Sequence, residues 1–93
     1  NAFFGDGRKG TGGVRVIGEK HFVSRNFFFE LTGDDTRAAI CVMNGIANSP
    51  LNAYFPVRDV EISLNTFFRC KETFVIGSAD EDQPEQTVPP RVS

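Results

Sequence analysis

His21 is the only imidazole in the chain, and an imidazole is the side chain most often used as a general acid or base near neutral pH. A Ser-His-Asp or Cys-His arrangement can be drawn through it, yet no local nucleophile motif such as GxSxG restricts the choice of partners. His21 therefore reads as a strand residue beside a turn, and a small His-dependent hydrolase is the least favoured activity. A metal centre needs three or four ligands, which one His and two widely spaced Cys do not supply, so neither metal nor cofactor is expected. The acidic run Asp80-Glu81-Asp82, with Gln83 and Glu85, lacks the glycine and the flanking helices of a calcium loop and reads as solvated chain.

Glycine-rich loops can cradle phosphate, but Lys9 precedes Gly10 here, whereas a Walker A loop places its lysine after the last glycine and opens a helix. Gly7-Arg8-Lys9-Gly10 matches the GxxG loop of KH domains, which joins two helices that this chain lacks. The stretch reads as a mobile arm bearing two cations.

Cys41 and Cys70 form an even pair with no CxxC spacing. A disulfide between them is the leading expectation, and closing a loop of about 30 residues would add roughly 3 to 4 kcal/mol in the chain-entropy model. Two buried free thiols acting as small hydrophobes are the alternative.

Ten Phe, one Tyr and no Trp make 12% of the chain aromatic, which stands above background. A core of this size absorbs roughly six or seven large rings, so some must lie near the surface. Successive strand residues point to opposite faces, so Phe28 must oppose Phe27 and Phe29, and Phe67 must oppose Phe68. Phe28 and Phe67 exposed beside Arg69 and Lys71 would form an aromatic-cationic patch suited to binding a partner. Cover by the N-terminal Phe3-Phe4 is the alternative. Tyr54 lies in residues 53–57, an extended stretch whose Pro56 assigns it to a sheet edge, where backbone pairing with a partner is available.

The elements that must carry these groups are strands. No window sustains three- and four-residue apolar spacing over ten positions, whereas Phe27, Phe29 and Leu31 alternate, as do Val60, Ile62 and Leu64. Residues 38–43 end at Asn44-Gly45, a dipeptide suited to a type I′ hairpin turn, and Asn65-Thr66 is a second two-residue connection. About six short strands at roughly ten-residue spacing predict an all-β, six-stranded antiparallel sandwich or small barrel. No internal repeat is read. The domain is expected over residues 13–77, with a flexible Gly-rich arm over 1–12 and a disordered acidic, Pro-containing tail over 78–93.

Ninety-three residues allow one small domain. The formal charge of −2 divides unevenly, because the four acids at Asp80, Glu81, Asp82 and Glu85 face only Arg91 in the last sixteen residues. A nearly neutral folded part and a sequence pI near 5.3 argue against a nucleic-acid partner. No apolar run approaches the length of a membrane-spanning helix, so membrane insertion is not expected. Asn at position 1 is read as the start of a processed chain, which favours secretion.

At Cys41-Val42-Met43-Asn44-Gly45, and again over Cys70-Lys71-Glu72-Thr73-Phe74-Val75-Ile76-Gly77, the chain resembles the MAX effectors, small secreted proteins of plant-pathogenic fungi. The resemblance implies two three-stranded antiparallel sheets, one disulfide, and a non-enzymatic virulence role through binding of a host protein. The resulting expectation is a secreted, monomeric, protein-binding effector, with delivery into host cells left open. A secreted toxin or antimicrobial protein is the runner-up.

Overall fold

The computed structural model describes residues 1–5, 10–49, 53–80 and 83–93. It is almost all β, as the alternation of side chains predicted, and no α-helix occurs among the described residues. The strands are β1 (Ala2–Phe4), β2 (Val14–Val16), β3 (Phe22–Ser24), β4 (Phe27–Phe29), β5 (Ile40–Met43), β6 (Gly45–Ile46), β7 (Glu61–Ser63), β8 (Thr66–Phe68), β9 (Phe74–Ser78) and β10 (Gln86–Val88). A 3-10 turn at Asp35–Arg37 precedes β5.

Their pairing corrects the antiparallel expectation. β1, β4 and β8 form one parallel sheet, β2, β5 and β9 a second, and β3 and β7 a third pair, also parallel. Among the described residues only β6 and β10 run antiparallel. The chain visits the three sheets in turn and then repeats the circuit one strand further along, so it winds as the coils of a parallel β-helix.

The reason lies at the corners. A hairpin reverses the chain, whereas here three-residue strands end at single residues in the left-handed region, which swing the chain onto the next sheet. Lys20, Arg25 and Glu30 hold φ of 63°, 55° and 55°, and one coil later Asp59, Leu64 and Arg69 hold 55°, 56° and 53°. None of these is glycine, so composition does not reveal them. Asn44-Gly45 makes no hairpin either: Gly45 lies against Pro56, and a Cβ there would fall 2.5 Å from the Pro56 Cα.

The coils also contain a repeat that fixed-period reading misses. Asn1-Ala2-Phe3-Phe4, Asn26-Phe27-Phe28-Phe29 and Asn65-Thr66-Phe67-Phe68 stack in register, Phe3 beside Phe28 and Phe28 beside Phe67. The first step along this ladder is 25 residues and the second 39, because connections of different length leave the circuit between the same strands.

Inside the coils, Phe28 is sandwiched between Phe3 and Phe67, with ring centroids 4.9 and 5.0 Å away and both pairs within 8° of parallel. Val16, Val23, Leu31, Ala39, Ile40, Val42, Val57 and Val60 pack with it in the buried core. Outside, Phe4, Phe29 and Phe68 form a second ladder at 5.7 and 5.0 Å.

No disulfide staples this arrangement, which corrects the other structural expectation: Cys41 and Cys70 are both free. Cys41 lies on β5 with its Sγ toward the Met43 sulfur at 3.4 Å, whereas Cys70 follows β8, its Sγ 3.7 Å from the Phe28 carbonyl, so the two thiols serve different sheets. Ring stacks and coil-to-coil hydrogen bonds hold the layers instead. The segments expected as arm and tail each carry a strand, β1 pairing with β4 and β10 with β6, and Val92 bridges to Val60. Asp6-Gly7-Arg8-Lys9 and Glu81-Asp82 lie outside the described residues.

Candidate functional site

The outer face of the β2-β5-β9 sheet carries the most constrained polar structure. The 3-10 turn at Asp35–Arg37 crosses this sheet and is pinned from both sides. The Asp35 amide donates to Glu72 Oε1 at 3.1 Å, and Ser78 Oγ donates to Asp35 Oδ1 at 2.6 Å. Asp35 itself sits at φ 48°, a left-handed conformation that costs a non-glycine residue energy and persists because these bonds hold it. Lys71 Nζ meets Asp34 Oδ2 at 2.8 Å, although both side chains are more than half exposed, so that pair adds little.

The pinned turn presents Thr36 and Arg37 toward Arg15 of β2. Arg15 Nη2 reaches the Thr36 carbonyl at 3.5 Å, at the outer limit of a hydrogen bond. Gly10, Gly12, Gly13, Arg15, Thr36 and Arg37 line a cleft of about 290 Å³. Glycine is required along one wall: Gly10 has φ +80°, and a Cβ on Gly12 would lie 2.8 Å from the Arg37 carbonyl oxygen. Both arginines are exposed, and among the described residues neither is within ion-pair distance of a carboxylate. Two exposed guanidinium groups beside a glycine-walled cleft, with no carboxylate partner among the described residues, could hold a carboxylate or sulfate, because each fork suits such a group through paired hydrogen bonds. Cys41 lies beneath on β5: burial pushes its thiol up, and the nearby Arg15 charge only partly opposes this. It is therefore an inert thiol.

The residues singled out from sequence are distributed differently. Phe28 is fully buried, and Phe67 is half-buried in the same internal stack, so neither forms an outer patch with Arg69 and Lys71. Opposition of neighbouring rings was correct, but inside and outside were exchanged, which is what a one-residue shift of face does to a strand. Phe68 is the ring beside Arg69, whose guanidinium carbon stands 5.1 Å from the ring centroid. Lys71 is engaged by Asp34, and the Tyr54 hydroxyl by Asp80. Residues 53–57 form no strand, although the Tyr54 carbonyl accepts from the Ile46 amide at 2.8 Å. His21 is exposed, with Nε2 3.0 Å from the Ile17 carbonyl.

Among the described residues there is no group of three potential metal ligands and no helix long and apolar enough to cross a membrane. Arg15 and Arg37 escaped sequence reading because they are isolated cations 22 positions apart. Only the passage of the turn across the β2-β5-β9 sheet brings them to one cleft. The alternation Val14-Arg15-Val16, which sends a lone cation outward from an apolar strand, is the one local hint.

Among curated proteins no match to the chain was found. A family model described as Chondroitinase B matches residues 1–90, nearly the whole length, and relates the chain to an enzyme family that its own motifs do not disclose: the chain belongs to the Chondroitinase B family.

Proposed function

We propose that the chain binds an acidic polysaccharide across the outer face of the β2-β5-β9 sheet, as the glycan-holding surface of a chondroitin-cleaving type of enzyme. The observation that carries this reading is the pair Arg15 and Arg37, framed by glycine in one cleft and without a carboxylate partner among the described residues. Chondroitin carries a carboxylate on every second sugar, and a guanidinium fork suits that group in both charge and shape. Holding the carboxylate against a fixed positive charge also acidifies the carbon-bound hydrogen next to it, which is what eliminative cleavage of such a polymer requires. Family membership extends the argument from anion to glycan.

The protein-binding effector expected from the sequence draws on the surplus of aromatic rings. With Phe28 and Phe67 committed to the interior, a facial contact of that kind would fall to Phe27, Phe29 and Phe68.

Calorimetric titration of chondroitin, with a neutral polysaccharide as control, tests the glycan reading. Arg15→Ala and Arg37→Ala should each weaken chondroitin binding by about tenfold or more, as loss of a charge-assisted hydrogen bond does, and should flatten its salt dependence. A folded double variant that binds chondroitin as the parent does overturns the proposal.

A further inference from the structure

Arg15 and Arg37 have no carboxylate partner among the described residues, although Asp34 and Asp35 lie on the same turn as Arg37. Acids so close in the chain ordinarily compete with a ligand for a guanidinium group. Here both are engaged from the other side of the sheet. Lys71 Nζ meets Asp34 Oδ2 at 2.8 Å, Ser78 Oγ donates to Asp35 Oδ1 at 2.6 Å, and Glu72 Oε1 accepts from the Asp35 amide. In this sheet β5 lies between β2, which carries Arg15, and β9, which ends at Ser78, so these bonds draw the acids away from Arg15. The Lys71 pair is exposed to water, whereas Ser78 is buried, and its bond to Asp35 is the sheltered one.

Ser78 reaches the outer face because β9 is bulged. Val42 pairs with Ile76 but Met43 with Ser78, which leaves Gly77 as an extra residue with no partner on β5. Gly77 holds φ +88°, a conformation that favours glycine. In an unbroken strand Ser78 would point inward, and the bulge returns it to the face shared by Arg15, Cys41 and Met43, where the turn crosses.

We infer that Ser78 is a positioning residue of the Arg15–Arg37 cleft: by holding the Asp35 carboxylate on the β9 side, it keeps that acid from pairing with either arginine and leaves both to an incoming acidic glycan. The inference rests on the glycan reading for the identity of the ligand, but not for the internal bond. Asp35 does not line the cleft, so its release costs affinity by competition and removes no group that touches the ligand.

Calorimetric titration of chondroitin into Ser78→Ala tests this, read beside the nitrogen NMR signals of the two guanidinium groups without glycan. Ser78→Ala should bind about tenfold more weakly than the parent, and an arginine signal should shift as Asp35 pairs with it. Ser78→Thr keeps the hydroxyl and should bind as the parent does. Adding Asp35→Asn to Ser78→Ala removes the competing charge and should restore both the affinity and the signals, which damage to the structure would not do. Circular dichroism and thermal melting confirm that the variants keep the parent fold, and Ser78→Val replaces Ser78→Ala if the latter does not. Parent-like binding by folded Ser78→Ala overturns the inference, as does a double variant as weak as Ser78→Ala. If the parent itself does not bind chondroitin, the glycan reading fails and the signals decide this inference: a shift that the double variant reverses supports it, and unchanged signals overturn it.

Discussion

Asn65 stands one coil beyond Asn26 and bonds the preceding coil three times over: its Oδ1 accepts from the Asn26 amide at 3.0 Å and from Asn26 Nδ2 at 3.1 Å, while its own Nδ2 donates to the Val23 carbonyl at 2.8 Å. One side chain thus joins the corner between β3 and β4 to the start of β8. Loss of these bonds leaves half-buried donors and an acceptor without partners, which costs more than the bonds themselves contribute.

Asn65→Ala should therefore destabilise the chain by about 1 to 3 kcal/mol, a fall in melting temperature of several degrees or more for a domain of this size. Asn65→Asp keeps the acceptor but not the donor to Val23 and should fall between Ala and the parent. Equal melting temperatures for all three would show that the ladder contributes nothing.

Neighbouring rings on β4 should respond very differently to truncation. Phe28 is fully buried between two parallel rings, so Phe28→Ala should cost about 3 to 5 kcal/mol in urea unfolding. Phe29 is only half-buried on the outer ladder, and Phe29→Ala should cost clearly less. The reverse order would mean that the strand faces the other way.

Both sulfurs should behave as thiols. Intact mass should not change on reduction, and denatured protein should show two titratable thiols. In the native state Cys70 should react with a thiol reagent well before Cys41, which is fully buried and whose thiol is pushed up by burial. A gain of two mass units on reduction would contradict the structure.

The Asp34–Lys71 pair makes a pH-dependent contribution whose sign follows from its two shifts. Lys71 holds the Asp34 carboxyl below its ordinary 3.8, so that part of the stability is present above that value and fades as pH falls through the lowered one. Asp34 in turn holds Lys71 above 10.5, so the same pair is lost as pH rises beyond that range. Lys71→Met should give a small loss of melting temperature between about pH 5 and 9 that disappears below about pH 3. A loss that grows with acidity would contradict the assignment.

Much of the strand content was legible in the residues, because alternation such as Val60-Ile62-Leu64 and the triplet Phe27-Phe28-Phe29 has no helical period. The sheets were not. Hairpin chemistry at Asn44-Gly45 and Asn65-Thr66 suggested reversals, but Gly45 is needed for a close approach to Pro56, and the Asn65 side chain bonds the preceding coil. Of the candidate patch, Arg69 stands over Phe68, whereas Phe28 and Phe67, the rings expected beside it, stack on each other inside the coils.

By itself the sequence determined that this chain folds as short strands and that neighbouring rings take opposite faces, because a pleated backbone alternates its side chains whatever lies around it. Only tertiary structure decided which rings are inside, that the strands run parallel, and that Arg15 meets Arg37. Those outcomes depend on how left-handed corners at ordinary residues such as Arg25 and Leu64 stack one coil on the next, and that geometry is set by contacts between residues 25 and 39 positions apart rather than by any local run of side chains.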